Sequence, residues 1–405
     1  MKKTIHVAGR TELAGNHTDH QNGRILAATI HMGLSARVEK NDSGKILLKS
    51  QGFGQLEVAL NQLTVRPREF GTPEALVRGV AAAFKELGLE IGGFEGDIRS
   101  TLPVGAGLSS SAAFSVLVGR ILNELYNDGR VEPLVLARAA QQAENRFFGK
   151  PCGLMSQLVC AMGHTLYVDF KTMEIQRIEA DFGAMGLTMC LTETGGSHAG
   201  LDSSYARIPA DMVYIANLFD KGVLADVDPE AFRAKGWDPA NRPVRRAMHF
   251  FDENERVPLM RDALQRGDGE TYMRLMNESG RSSEKLLNNI ITSATGDTKL
   301  ASGLEKSRKL LEGRGAWRVH GGGFAGCVQA LMPSDYFETY KEGMEKTFGS
   351  GSCREIRLVY YRKNALQNAG TCRSEPVTDV TGVGIRISLC RKTDCHDQFA
   401  NWSWQ

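Results

Sequence analysis

The sequence predicts an α/β (α+β) protein, with strands and two buried helices in its first half and mostly helices after about residue 207. Three observations carry that expectation. Short alternating segments crowd the N-terminal part, two apolar helical stretches follow a glycine-serine loop at 103–113, and helical spacing recurs through 212–311. At 405 residues and 44.4 kDa the chain is long enough for two packed domains.

Thr4–Ala8 alternates weakly and reads as a short strand running into a polar, glycine-punctuated loop, Gly9–Gly23. Ile25–Ile30, Leu34–Val38 and Ile46–Leu48 read as further strands, with NDSG at 41–44 as a hairpin-type turn. Leu76, Val77, Val80, Phe84 and Leu87 lie at helical spacing from Pro73 onward, and Gly88 suits the position after the helix. Phe94, Gly96 and Ile98 alternate as one more strand. A strongly apolar helix carries Val116, Leu117, Ile121, Leu122 and Leu125, and a second runs from about Pro133 to Phe148. GKPCGLMSQLVCAMG begins as a turn and becomes helical, after which strands are expected at Thr165–Phe170 and Leu187–Leu191. Helices follow at Met212–Phe219, Val244–Phe251, Val257–Gln265, Tyr272–Glu278 and Leu304–Leu311, with a strand at Cys327–Leu331. No repeat of fixed period occurs. Beyond about Lys363 periodicity stops, and the segment carrying Trp402 and Trp404 reads as an irregular extension.

Composition excludes several classes of function. Hydrophobic residues at 42% and charged residues at 24% are those of a globular chain, not a disordered or fibrous one. A formal net charge of +2 supplies no field for nucleic acid or a membrane surface. No run approaches the ~18 apolar residues of a membrane helix, and the N-terminus lacks the apolar core of a secretory signal. Eight cysteines without CxxC or zinc spacing fit a reduced, cytoplasmic protein, although Cys372, Cys390 and Cys395 crowd the tail.

The strongest chemical signal is PVGAGLSSSAA, Pro103–Ala113. Gly105 and Gly107 permit close backbone approach to a ligand, and Ser109, Ser110 and Ser111 open a buried helix whose free N–H groups favour an anion. The loop is neither a Walker A motif nor GxGxxG; a tight turn with an N-cap serine is the structural alternative. In the 9–23 loop, Arg10 can neutralise phosphate charge, while Asn16 and Asp19 can bond hydroxyls; a charged surface loop is the alternative there. Glu144 matters if the fold brings it beside Ser111, where the two can hold a divalent cation. A final glycine cluster, Gly321–Gly326, offers either a packed turn or a ligand contact.

GRTELAGNHTDH (9–20), PVGAGLSSSAA (103–113) and HGGGFAGC (320–327), in this order, resemble the three motifs of the galactokinase branch of the GHMP small-molecule kinases. AENRFFGKPCGLMSQ and LMNESGRSSE resemble intervening segments of that family, and the likeness covers roughly residues 4–360. It implies a two-domain GHMP kinase fold, with an N-terminal ribosomal protein S5-like domain at 1–205 and a C-terminal ferredoxin-like domain at 206–362. The cleft between them would hold ATP, Mg²⁺ and a small-molecule sugar; a monomer is expected, and the near-neutral charge predicts no nucleic-acid or membrane partner. Carried over by residue, Gly105, Ala106, Gly107, Leu108, Ser109, Ser110 and Ser111 would cradle the nucleotide phosphates. Ser111 and Glu144 would bind Mg²⁺, Arg10 would steady the transferring phosphoryl group, and Asn16, His17, Asp19, Gly153 and Tyr205 would contact the sugar.

Four departures bear on this. Ser156 stands where the family carries its catalytic aspartate, Asn16 where it carries Glu, Glu12 where it carries Asn, and His20 where an aromatic follows Asp19. An unactivated serine positions a hydroxyl but does not deprotonate it at neutral pH. A general base is worth about 10²–10⁴-fold, while positioning and charge supply most of phosphoryl transfer, so the expectation is a slow kinase for the anomeric hydroxyl of galactose or a related sugar. The alternatives are a non-catalytic ATP and sugar sensor, and a GHMP kinase for another hydroxylated substrate.

Overall fold

Strand formation at the N-terminus runs further than the alternation suggests. A computed structural model describes residues 2–50, 54–103, 107–196, 200–291 and 296–359; Gly105, Ala106 and the extension after 363 lie outside the described residues. Within it, β1 (Lys3–Ala14) pairs antiparallel with β2 (Arg24–Lys40), so Gly9–Ala14 are strand, not the start of a surface loop. All six of those residues are buried, because elements from the second half of the chain cover them.

The two strands expected at 25–30 and 34–38 are likewise one. Its first part, Ile25–Ile30, is buried throughout, with the early helices described below and a later one all packed against β2. Its second part, Met32–Val38, buries every other residue. A strand covered on both faces loses its period-two signature, which is why the sequence reads as two pieces.

The remainder of the first unit is β3 (Lys45–Ser50), β4 (Gly54–Ala59), α1 (Pro73–Glu86), β5 (Phe94–Ser100), α2 (Ser110–Tyr126), α3 (Pro133–Gln142), a π-helical run Ala143–Phe148, α4 (Met155–Met162), β6 (Thr165–Asp169) and β7 (Glu174–Ile178). The sheet runs β4-β3-β5-β2-β6-β7 with β1 on β2. β5 sits between β2 and β3, antiparallel to the first and parallel to the second. The NDSG turn at 41–44 therefore closes no two-stranded hairpin. Asn41 N–H instead donates to Gly93 O at 2.9 Å, at the approach to β5. Helix α1 follows its sequence signals: Thr72 Oγ1 accepts from Ala75 N–H, Pro73 takes the first turn, and Gly88 has φ +70° just beyond the end.

The second unit contains β8 (Leu187–Glu193), α5 (Asp202–Asn217), α6 (Pro229–Arg233), α7 (Arg242–Gln265), α8 (Gly269–Ser282), a π-helical run Ser283–Leu287, α9 (Lys299–Leu311), β9 (Ala316–His320), β10 (Cys327–Pro333), α10 (Phe337–Phe348) and β11 (Cys353–Ile356). Its sheet runs β11-β8-β10-β9, all antiparallel. Since β8 pairs with β10 and β11, the change of sheet falls between Ile178 and Leu187, ahead of the expected boundary at 205. The helices expected at 244–251 and 257–265 are one, continuous through Pro258.

The units share a core. Leu13 and Ile25 from the first lie in one apolar cluster with Val257, Met260 and Tyr272 from the second, and Tyr272 Oη donates to Leu13 O at 3.0 Å. After β11 the chain returns to the first sheet, where His31 N–H donates to Arg357 O at 2.9 Å and Val359 N–H to Thr29 O at 3.0 Å.

Two glycines inside helices separate packing from propensity. A Cβ on Gly79 of α1 would lie 2.7 Å from both Cα and Cβ of Ala143, at the start of the π-helical run, whereas a Cβ on Gly119 of α2 would meet side chains no closer than 3.5 Å. Alanine gains about 1 kcal/mol of helix propensity over glycine, but forced overpacking costs about 1–3 kcal/mol. Gly119→Ala should therefore raise the unfolding midpoint in denaturant and Gly79→Ala should lower it. Equal shifts would show that Gly79 is not packed as described.

Candidate active site

Arg10 leaves β1 where the two units meet. It is 5% exposed, and its guanidinium touches only neutral groups. Nε and Nη2 donate to Ser156 Oγ at 3.0 and 2.9 Å, Nη1 donates to Gly107 O at 3.0 Å, and Nη2 also donates to Ser109 Oγ. Among the described residues four arginines are buried. Arg78, Arg246 and Arg318 each reach a carboxylate, on Glu69 at 2.8 Å, Asp211 at 2.8 Å and Glu12 at 3.0 Å, while Arg10 has no ion-pair partner among those residues. Burial lowers the Arg10 pKa, partly countered by Cys160, Glu12, Asp19 and Glu144 nearby. Such a cation is costly to bury and favours an arriving anion.

Two backbone segments converge on it. The loop entering α2 brings Gly107 (φ +68°) and Ser109, which sits in the left-handed region at φ 52°, ψ 54°. Few serines adopt that conformation, and the Arg10 contact helps hold this one there. Leu108 is buried beside it, Ser110 begins α2 on the exposed side, and Ser111 follows in the first turn. Helix α4 brings Ser156, whose Oγ lies 3.1 Å from Ser109 Oγ. With two Arg10 N–H groups on its oxygen, Ser156 has its lone pairs engaged and only a proton to offer.

Ser111 and Glu144 meet as expected. Ser111 Oγ donates to Glu144 Oε2 at 3.1 Å, and Gln157 Nε2 donates to Oε1 at 3.0 Å. Glu144 stands in the π-helical run, a distortion common at functional sites. It is 2% exposed. Burial pushes its carboxyl up, against Lys150, the Gln157 and Ser111 hydrogen bonds, and Arg10.

The residues expected at the sugar divide into two groups. Asp19 and Gly153 are apposed: a Cβ on Gly153 would collide with the Asp19 carboxylate, which accepts from His20 N–H at 2.9 Å and lies 3.5 Å from Met155 N at the start of α4. Burial raises the Asp19 pKa, opposed by those N–H groups and by Arg10. Asn16, His17 and Tyr205 are instead spent on the protein. Asn16 Nδ2 donates to Glu12 and to Gly321 O at 2.7 Å, while Oδ1 accepts from Ser283 Oγ at 3.2 Å and Asn289 Nδ2 at 3.1 Å. An amide has no further capacity, so Asn16 braces the loop and is not free to take a sugar hydroxyl. Tyr205 Oη donates to Gly323 O at 2.8 Å. His17 Nε2 donates to Gly322 O at 3.1 Å, which leaves Nδ1 to accept from His20 Nε2 at 3.2 Å. Burial drives His17 down to about 4 and His20 well below its usual value, so both rings are neutral.

Two residues of this site carry no separate expectation from the sequence. Gln157 holds Glu144 and reads in sequence only as a polar helix position. His320 ends β9 beside Gly107, since a Cβ on Gly107 would lie 3.2 Å from its Nδ1. Its place directly before GGG is the available signal.

Two segments of the chain match known families. Residues 75–164 match the GHMP kinases N terminal domain, and residues 2–40 match the galactokinase galactose-binding signature. Among solved structures, a Lactococcus lactis galactokinase complexed with galactose superimposes with TM-score 0.79 at 23% identity, over 89% of this chain and 94% of that one. Methanococcus jannaschii mevalonate kinase follows at TM-score 0.62 and 15% identity, over 89% and 99%. Streptococcus pneumoniae phosphomevalonate kinase in complex with phosphomevalonate and AMPPNP gives 0.58 and 15%, over 88% and 98%. The chain thus carries the GHMP kinases N terminal domain and the galactokinase galactose-binding signature, on a two-domain α/β fold that matches solved GHMP kinases.

Proposed function

We propose that the protein transfers the γ-phosphoryl group of ATP to the anomeric hydroxyl of galactose or a related sugar, at a rate held down by Ser156. The observation that carries this reading is Arg10, a buried guanidinium with no carboxylate partner among the described residues, set between the loop before α2 and the start of α4. The GHMP kinase domain and the galactose-binding signature support ATP and a sugar as the two substrates, since such kinases use ATP.

Ser111 and Glu144 would hold Mg²⁺. One carboxylate and one hydroxyl suit an ion that completes its shell with water and phosphate oxygens, although among the described residues no cluster of three or more His, Cys, Asp or Glu forms a metal site. Bound there, the ion would offset charge on the phosphates. Gly107 to Ser111 present backbone N–H groups at the start of α2, and Arg10 meets the negative charge of the transferring group. Asp19, fixed against Gly153 and the start of α4, would accept from a sugar hydroxyl. As the new sugar O–P bond forms and the bond to the ADP oxygen breaks, no carboxylate at 156 takes the hydroxyl proton, which passes to a phosphoryl oxygen. Ser156 orients the acceptor.

Two observations keep other readings in play. The occupied oxygen of Ser156 favours a sensor that binds ATP and sugar without turnover. The closed hydrogen-bonding of Asn16 and His17 favours a sugar other than galactose, as a pocket that has lost two polar contacts fits different hydroxyls. Calorimetry with ATP and a panel of monosaccharides, run beside ADP release, separates these.

Three substitutions test the roles assigned here. Ser156→Asp places a carboxylate where two Arg10 N–H groups already converge, so it should be accommodated and should raise sugar-dependent ADP release by about 10²–10⁴-fold; silence from both forms with every sugar removes the kinase reading. Arg10→Lys keeps the charge but loses the fork, and should cut kcat/KM by on the order of 10²–10³. Glu144→Gln, introduced into the faster Ser156→Asp variant, should raise the Mg²⁺ concentration needed for half-maximal turnover, and an unchanged Mg²⁺ titration would exclude Glu144 as a ligand.

A further inference from the structure

His320 Nδ1 is a buried polar atom without a hydrogen-bond partner among the described residues, and it faces the loop before α2. The ring is 2% exposed. Its other nitrogen is fully explained: Glu12 N–H points to Nε2 at 3.3 Å, and Thr11 Oγ1 lies 3.0 Å from the same atom. A backbone N–H only donates, so Nε2 must accept, and a neutral imidazole then carries its proton on Nδ1. Burial, together with the charges of Arg10 and Arg318, keeps the ring neutral. The consequence is an N–H group, shut away from water, with nothing among the described residues to donate to. Left unmade, such a bond costs about 1–3 kcal/mol.

Its aim gives the missing partner. Nδ1 lies 3.2 Å from where a Gly107 Cβ would stand, and the Gly107 carbonyl is the one that accepts from Arg10 Nη1 at 3.0 Å. Glycine at 107 thus leaves open the space in front of the histidine, on the loop that also carries Ser109 and Ser111. Thr11 and Glu12 adjoin Arg10 in β1, so one strand positions both donors. Gln329 Nε2 donates to Thr11 Oγ1 at 2.9 Å and to Glu12 O at 2.9 Å, fixing that stretch of β1 from the second sheet.

We propose that His320 is a nucleotide-binding residue, donating Nδ1–H to a phosphate oxygen of the bound nucleoside triphosphate as a neutral companion to Arg10. The proposal rests on the nucleotide-binding reading above. It adds a contact from the second sheet to a cradle otherwise built from the first.

The two ring nitrogens can be tested apart. Asparagine sets its amide near Nδ1 and leaves the Glu12 N–H unpaired; glutamine sets its amide oxygen near Nε2 and leaves the Nδ1 position empty. His320→Gln should keep near-native unfolding temperature but bind a non-hydrolysable ATP analogue with Mg²⁺ about 10- to 100-fold more weakly by calorimetry, the worth of a hydrogen bond to a charged group. His320→Asn should lose unfolding temperature yet hold most of that affinity. Wild-type affinity in the glutamine form, or equal loss in both forms, overturns the assignment while leaving the nucleotide site standing. An analogue that fails to bind the wild-type protein overturns both.

Discussion

A guanidinium buried among neutral partners is the constraint around which the candidate site is arranged. Removing a cation from water costs several kcal/mol, and dipoles from one carbonyl and two hydroxyls offset only part of that. The other buried arginines show how the fold treats structural charge: Arg318 ties to Glu12, Arg78 to Glu69 and Arg246 to Asp211. Each pair is closed and stays closed. Arg10 is held open, between the loop before α2 and the start of α4.

Two of the positions that depart from the family pattern turn out to be neighbours. Glu12 and Asn16 exchange the amide and carboxylate expected at 12 and 16, and the two side chains touch, with Asn16 Nδ2 3.2 Å from Glu12 Oε1. The swap conserves charge and hydrogen-bonding atoms but moves the carboxylate four positions back along the chain, within reach of Arg318 Nη2 at 3.0 Å. The carboxylate that the family pattern puts at 16 stands here at 12, paired with a buried arginine of the second sheet. Its burial raises the Glu12 pKa and Arg318 pulls it back. What was expected at the ligand is here part of the frame joining the two units.

Legibility in the sequence follows local chemistry. Helix α1 can be read because Thr72, Pro73 and Gly88 mark both ends, and α2 because a serine run opens a continuous apolar face. The pairing of Ser111 with Glu144, 33 residues apart, comes from the family likeness and not from spacing. Strand β2 divides wrongly because double coverage erases alternation. β4, β7, β9 and β11 escape because four to six residues carry too little pattern to stand out. The surface loop expected at 9–23 fails for a related reason: Glu12 on β1 is satisfied by Arg318, 306 positions away, and nothing local records that. His320 and Gln157 belong to the same class, since their meaning lies in what faces them.

Serine at 156 acts with opposite sign on holding and on transfer. An aspartate there would share the Arg10 charge through a two-point ion pair, leaving less of it for phosphate. A serine leaves the full cation facing the nucleotide, which favours the bound ground state, but it also leaves no group to take the acceptor's proton as the new bond forms. Interactions that strengthen the ground state and transition state alike lower KM without raising kcat. On the reading proposed here, this site is therefore built to retain a triphosphate and release its phosphoryl group slowly. The kinase and the sensor then differ in rate and not in architecture, because both need the same open cation.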